Sequence, residues 1–201
     1  MATYRLPFEN VPGWAVSNGN FDDPGGGHGL GQPFAWDFTF PTDGGAKVLA
    51  ARAGTVIDLR GNSTKVLPVG VDDLFWGPGN YVIIQHADRT IAAYDHMHPN
   101  SLQVSAGEYV DQGAWIGQVG NTGSSSAPHL HFHVTDSPAG NGVLANGVPY
   151  VFTDFLLTGK VLNLDEWLSQ EVSVPAEIGD PAPPMQRRDQ LPLQTDIVTF
   201  P

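Results

Sequence analysis

Short runs of β-branched and aromatic residues recur along this sequence, and each run is bounded by residues that favour turns. The clearest runs are residues 48–57, 81–84, 90–94 and 130–134. Glycine and proline, which interrupt long helices, number 24 and 17 among the 201 residues. Short strands separated by turns are typical of antiparallel sheets. The sequence therefore predicts an all-β domain of mainly antiparallel sheet with few short helices, residues 165–170 being the candidate helix.

Three histidines alternate with apolar residues after Pro128, namely His129, His131 and His133. Side chains two positions apart on a strand point to the same face of the sheet, so the three imidazoles would line one face. Neutral imidazole is the commonest protein ligand of zinc. The alternation favours a metal site, but histidines on a surface strand produce the same pattern by chance.

Two residues further upstream suit the same site. His28 ends a run of glycines, and Asp37 lies in the apolar run 34–40. A buried carboxylate in such a run is costly unless it is paired or bound to a metal. The alternative is a solvent-facing Asp37 on a half-exposed strand, because its aromatic neighbours have the opposite parity. Two histidines and one carboxylate would leave a position for water, as catalytic zinc sites do.

These residues and their surroundings resemble the lysostaphin-like (LytM-type) zinc endopeptidases, most of which cut peptide bonds in bacterial peptidoglycan. The matching segments follow the order of the family between about residues 28 and 135; they are His28, residues 35–38, 48–56, 79–86, 94–97, 110–117, 120–123 and 128–132. The resemblance implies a LytM-like duplicated hybrid motif with an open groove. Residues 1–170 would form the zinc peptidase domain and residues 171–201 a proline-rich C-terminal tail, whose residues 197–200 are able to add a strand.

Carried over to this sequence, the resemblance makes His28, Asp37 and His131 the ligands of one zinc ion per chain. It makes His96 and His129 the histidines that assist catalysis without binding the metal. The implied reaction is attack of a zinc-bound water on a peptide bond. His129 would act as the base and His96 at the developing oxyanion, or the two roles would be exchanged.

Two features of the sequence depart from the family pattern. The nine positions from His28 to Asp37 form a longer interval than in many members. His133 stands where glutamate or glutamine is common, so it is either a partner of a ligand or a competing ligand. Two aromatic residues in the long segment 60–78, Phe75 and Trp76, are candidates for the substrate groove or for hairpin packing.

Charge and composition argue against several other classes of function. The formal net charge of −12 does not suit non-specific nucleic-acid binding, which needs clustered lysine and arginine. The sequence contains no cysteine, which excludes a thiol nucleophile. No stretch approaches the roughly 20 apolar residues of a membrane span. Residues 1–20 lack the basic start and apolar block of a signal peptide, whereas the resemblance implies an extracellular or cell-envelope location.

Three functions remain open at this point. The favoured one is a zinc endopeptidase acting on the cross-links or stem peptides of peptidoglycan. The second is a non-catalytic, zinc-binding relative that binds the cell wall or regulates a partner enzyme. The third is a zinc endopeptidase for glycine-rich protein substrates. The sequence specifies neither the peptide bond that is cut nor the oligomeric state.

Overall fold

Strands account for the regular structure that the computed structural model describes, over residues 1–11, 13–19, 28, 32, 34–40, 45–65, 77–137, 147–164, 178–179 and 184–201. They are β1 (Ala2–Tyr4), β2 (Trp14–Asn18), β3 (Ala35–Thr39), β4 (Lys47–Leu49), β5 (Gly54–Arg60), β6 (Tyr81–Gln85), β7 (Ile91–Asp95), β8 (Tyr109–Val110), β9 (Trp115–Gln118), β10 (Leu130–Thr135), β11 (Tyr150–Val161), β12 (Ile178–Gly179), β13 (Met185–Gln190) and β14 (Asp196–Thr199). The predicted helix at residues 165–170 lies outside the described residues. Within the described ranges, no helix has the length and apolarity needed to cross a membrane.

Most of the strands belong to one large sheet. Its order is β1-β11-β14-β2-β3-β10-β7-β6-β5-β8, with β12 and β13 also paired to β11. Strands β4 and β9 form a separate two-stranded sheet. Among the described strands, β1 and β11 pair in parallel and the other pairs are antiparallel. The predicted all-β, mainly antiparallel architecture is confirmed.

The central strands β3, β10 and β7 have one apolar face and one polar face. On the apolar face, Phe132 of β10 is the register partner of Trp36 on β3 and of Tyr94 on β7, and all three are buried. The opposite face, here called the site face, carries Asp37 and His131. A slip of one residue would turn every side chain of a strand to the other face, so burial of the aromatic residues fixes the register.

The run of residues 48–57, predicted as one strand, belongs to two strands of different sheets. Its first part lies in β4, which pairs with β9, and its second part lies in β5, which pairs with β6 and β8. Between them the Ala50 N–H donates a 2.9 Å hydrogen bond to the Ala114 carbonyl as the chain crosses. A side chain at Gly54 would collide with the carbonyl oxygen of Gln85, so only glycine lets β5 approach β6 so closely here.

Described residues of the C-terminal segment contribute strands to the large sheet. β13 pairs with β11, and β14 lies between β11 and β2. Val198 of β14 is fully buried, and the Trp36 Nε1–H donates a 2.9 Å hydrogen bond to the Pro192 carbonyl. Residues 197–199 therefore do add a strand, next to the β2–β3 pair that leads to the site face. The domain boundary at residue 170 stays a prediction.

Substituting Val198→Ala should lower the free energy of unfolding by about 2 kcal/mol, because two buried methyl groups are lost from β14. Urea unfolding measures the change. Leu193→Ala is the matched control, since Leu193 lies in the same segment but is 52% exposed. That control should change the free energy by less than about 0.5 kcal/mol. Equal losses for the two variants would contradict a core role for β14.

Candidate metal and catalytic site

Two neighbouring strands place an imidazole and a carboxylate side by side. His131 of β10 is the register partner of Asp37 of β3. Directly opposed residues of an antiparallel pair project to the same face with Cβ atoms about 4.5–5.5 Å apart. His131 Nδ1 lies 2.9 Å from Asp37 Oδ1 and donates a hydrogen bond to it. The predicted alternative of a solvent-facing Asp37 is not what the structure has, because only 13% of this side chain is exposed.

His28 completes a group of three potential metal ligands. Its Nε2 lies 3.1 Å from Asp37 Oδ1, and its Nδ1 lies 2.9 Å from the Gly19 carbonyl oxygen. Donation of the Nδ1 proton to Gly19 leaves the Nε2 lone pair facing the carboxylate. His28 Nε2 and Asp37 Oδ1 would then both be acceptors, and at 3.1 Å they need a shared proton or a cation between them. Among the described residues, His28, Asp37 and His131 have ligand atoms that all lie within 4.8 Å of one another.

The spacing of these atoms suits a zinc ion. In a tetrahedral site with bonds of about 2.0–2.1 Å, neighbouring ligand atoms are about 3.3 Å apart. Asp37 Oδ1 lies 3.1 Å from His28 Nε2 and 2.9 Å from His131 Nδ1. These two separations are close to the tetrahedral value. Two histidines and one carboxylate also leave a fourth position for water or substrate.

The pKa values of His28, Asp37 and His131 depend on one another and on burial. Burial alone would raise the pKa of Asp37, but the neighbouring His129 and His28 and the hydrogen bonds from His131 and His28 hold this pKa well below 3.8. Burial alone would lower the pKa of His28, but the charge of Asp37 and its hydrogen bond raise it above 6.5. Burial dominates at His131, whose pKa is lowered. A carboxylate that stays ionised is suited to binding a cation.

His129 lies next to the group and has a fixed orientation. Its Nδ1 lies 2.8 Å from the Ala127 carbonyl oxygen and 3.2 Å from Ser125 Oγ. Its Nε2 lies 3.6 Å from Asp37 Oδ1. An Nδ1–H that donates to a carbonyl leaves the Nε2 of a neutral imidazole as an acceptor, so His129 turns a basic nitrogen toward the proposed metal ligands.

His96 faces His129 from the end of β7. The two ring centroids are 4.6 Å apart, and His96 Nδ1 lies 2.8 Å from the Thr122 carbonyl oxygen. The backbone of His96 has a φ of 62°, which is rare for a residue other than glycine. Its N–H donates to the Pro78 carbonyl at 3.0 Å. Such strain persists where neighbouring contacts enforce it and is common at functional sites.

The loop under His96 depends on a close backbone approach. Gly79 has a φ of 65°, and a side chain there would collide with the carbonyl of Thr122.

Burial, followed by the charges of His129 and His131, lowers the pKa of His96 well below 6.5. His96 is therefore neutral at neutral pH, with its Nε2 available as an acceptor.

One polar residue of the site was missed from the sequence. Asn18 is the register partner of Asp37 at the end of β2, and its Nδ2 lies 3.3 Å from Asp37 Oδ2. The amide thus donates to the carboxylate oxygen opposite the one that faces the histidines. The sequence offers no periodic signal for this contact, because it depends on the pairing of β2 with β3.

A cavity of about 240 Å³ lies beside Asp37 and His129. Its remaining wall consists of short side chains, namely Ser17, Asn18, Thr39, Ser126 and Ala127. The cavity leaves space for a small ligand next to Asp37 and His129.

The structure brings five predicted residues together, namely His28, Asp37, His96, His129 and His131. Their individual roles stay predictions. His133 is buried on the same face, with its ring centroid 6.1 Å from that of His131, and it does not belong to the group of three converging ligands. Phe75 and Trp76 lie outside the described residues.

A mainly antiparallel sheet that carries two histidines, one carboxylate and two adjacent imidazoles has the side chains of a metallohydrolase. Residues 35–145, more than half of the chain, match Peptidase family M23, and the chain belongs to this family. The predicted membership of the lysostaphin-like metalloendopeptidases is thereby confirmed. M23 metallopeptidases are in general zinc-dependent, which agrees with the ligand set described above.

Two curated relatives and one solved structure are similar to this chain. The peptidoglycan DD-endopeptidase ShyA of Vibrio cholerae serotype O1 is 32% identical over 103 residues, which are 48% of this chain and 23% of ShyA. Lysostaphin of Staphylococcus simulans is 31% identical over 90 residues, which are 45% of this chain and 18% of lysostaphin. The chain thus spans less than a quarter of either relative. A chain in the crystal structure of the SpoIIIAH and SpoIIQ complex shares the fold, with a TM-score of 0.50, 19% identity and coverage of 70% of this chain and 94% of that one.

In the metal-free protein, His28 should titrate above pH 6.5 and His96 well below it, because Asp37 stabilises the first imidazolium and burial disfavours the second. Nuclear magnetic resonance titration of the ring protons measures both values. The spectra of His28→Gln and His96→Gln assign the signals. A His96 signal that titrates above that of His28 would contradict the described electrostatics.

Proposed function

We propose that this chain is a zinc-dependent endopeptidase that hydrolyses peptide bonds in the cross-links or stem peptides of bacterial peptidoglycan. The observation that carries the proposal is the convergence of His28, Asp37 and His131 next to two oriented imidazoles. The relative ShyA, a peptidoglycan DD-endopeptidase, supports the substrate class. An extracellular or envelope location follows from this substrate.

His28, Asp37 and His131 would hold one zinc ion per chain. When bound, the ion supplies Lewis acidity and lowers the pKa of a water to about 7. Asp37 contributes a full negative charge, and Asn18 holds its other oxygen at 3.3 Å. The Gly19 carbonyl orients the His28 ring by accepting its Nδ1–H. Such contacts of metal-binding side chains fix their orientation.

His129 is the proposed base, and the atom that accepts the proton is Nε2. The Ala127 carbonyl keeps the ring proton on Nδ1, so Nε2 carries the lone pair. The Asp37 carboxylate, 3.6 Å from Nε2, faces the positive charge that proton transfer creates. The protonated ring then donates from Nε2 to the nitrogen of the leaving amine.

His96 has a similar arrangement, because its Nδ1–H is donated to the Thr122 carbonyl. Its Nε2 is therefore an acceptor in the neutral ring, which suits orientation of the attacking water. Donation to an oxyanion requires a proton on this nitrogen. The tautomer of the neutral ring therefore favours His96 as the acceptor of a hydrogen bond from the attacking water. His96 would donate to the oxyanion only after its Nε2 has received a proton.

The zinc content of two variants tests the ligand and base assignments. His131→Ala should lose both zinc and activity, because one of three ligands is gone. His129→Ala should keep zinc but lose about 10²–10⁴-fold in turnover, the range for a general acid–base group. Metal analysis and single-turnover kinetics measure these effects. His133→Ala is the control from the same strand and should bind zinc as the parent does; wild-type turnover in His129→Ala would overturn its role as base.

The substrate is tested by mass spectrometry of soluble products after incubation with purified peptidoglycans of several cross-link types. The zinc-loaded parent should release new peptide ends, and His129→Ala should not. His98→Ala is the matched control, because His98 is exposed and outside the site. Cleavage of a glycine-rich protein without cleavage of any wall would move the substrate to that class. No product despite full zinc occupancy would favour a non-catalytic, wall-binding or regulatory role.

A further inference from the structure

Asp95 is a buried acidic residue that the proposed reaction does not use. It is the last residue of β7 and the register partner of His131 on β10, and it is only 6% exposed. Because directly opposed residues of an antiparallel pair project to the same face, its carboxylate lies on the site face beside the imidazole. Asp37, His131 and Asp95 thus form a row across β3, β10 and β7.

Two buried atoms of this row have no hydrogen-bond partner in the described part of the chain, namely His131 Nε2 and Asp95 Oδ1. They belong to side chains that are direct neighbours across the strand pair. The other ring nitrogen of His131 is engaged with Asp37 at 2.9 Å. A buried polar atom without a partner disfavours folding, so two of them on directly opposed residues need an explanation.

The tautomer of the His131 ring decides what its Nε2 can offer to Asp95. In the metal-free protein the ring proton is on Nδ1, where Asp37 accepts it, and Nε2 is a bare acceptor. An ionised Asp95 Oδ1 is an acceptor as well, and no hydrogen bond or ion pair joins the two side chains. A metal ion bound at Nδ1 needs the lone pair of that nitrogen, and the proton of a neutral ring is then on Nε2. This N–H is a donor, and the carboxylate beside it is an acceptor.

We propose that Asp95 is a positioning residue for the metal ligand His131. Its carboxylate accepts a hydrogen bond from the Nε2–H of the metal-bound ring through one water, and keeps Nδ1 directed at the metal. Carboxylates commonly accept the outer N–H of metal-binding histidines in this way. The inference rests on the proposed zinc site.

A purely structural role of Asp95 is the alternative to the positioning role. It would depend on the polar groups on the side of Asp95 away from His131. Arg60 and Tyr81 lie on the next two strands, but each is engaged elsewhere. The Arg60 Nε–H donates to the Gly79 carbonyl at 2.6 Å, and the Tyr81 hydroxyl donates to Asp58 Oδ2 at 3.0 Å. If Asp95 served only to balance the charge of Arg60, its replacement would change stability and leave zinc affinity unaltered.

Zinc affinity of the full chain distinguishes these explanations. Zinc alone is the probe, titrated against a fluorescent chelator. Asp95→Leu, which keeps the size and removes the acceptor, should weaken zinc binding about 10–100-fold. Asp95→Asn keeps a neutral acceptor and should lose less. Asp58→Asn is the matched control. Asp58 is a carboxylate on β5 that contacts Tyr81, and the Asp58→Asn variant should bind zinc as the parent does.

A second measurement follows the proton itself. In the zinc-loaded parent, nitrogen-15 spectra should show the His131 Nε2–H as a slowly exchanging proton, and in Asp95→Leu this proton should exchange faster. Urea unfolding of the metal-free variants reports any loss of fold, and Asp95→Asn serves where Asp95→Leu does not fold. Zinc affinity equal to the parent in both folded variants would overturn the positioning role. If His131→Ala also keeps zinc, the proposed site itself is wrong; if His131→Ala loses zinc while both Asp95 variants keep it, only the role of Asp95 is wrong.

Discussion

The register between β3 and β10 is the constraint on which the site depends. Phe132 lies opposite Trp36 on the apolar face, and the same pairing sets His131 opposite Asp37 on the site face. Burial of a large apolar side chain is worth about 1.5–3 kcal/mol, so a slipped register would forfeit several such contributions. Apolar packing therefore provides the free energy that holds the polar side chains in position. Hydrogen bonds within the site refine the orientation of rings that the sheet has already placed.

Two buried residues of the site face, Asp95 and His131, oppose folding when they are charged. Burial, followed by the charge of Asp37, raises the pKa of Asp95 well above 3.8, and burial lowers the pKa of His131. Above its ordinary pKa, Asp95 thus lowers the stability of the folded state, because the unfolded chain ionises more readily. A cation held by His28, Asp37 and His131 offsets part of this cost, since metal binding and folding share one free energy. The apolar core around Phe132 must supply the remainder.

Local sequence patterns predicted the features that depend on one strand alone. The alternation of His129, His131 and His133 predicted their common face, and an aspartate among aromatic residues marked Asp37 as a candidate ligand. Features that depend on pairing between distant segments were not predictable in this way. Asn18 reaches Asp37 only through the β2–β3 pair, and strand β13, which is mostly exposed and polar, exists through its pairing with β11.

The departure at position 133 is connected with the position of the acid on β7. Members of the family often have glutamate or glutamine where this chain has His133. His133 lies opposite Ala35 and Ala93 in register, two small residues that leave room for an imidazole on the site face. In our proposal a carboxylate next to His131 is still present, and Asp95 supplies it from the neighbouring strand. A sheet allows this exchange, because a residue two positions along a strand and a residue directly across it are both neighbours of the same side chain. If Asp95 positions His131 as proposed, the contact to a metal ligand is provided by a strand different from the one that carries the ligand.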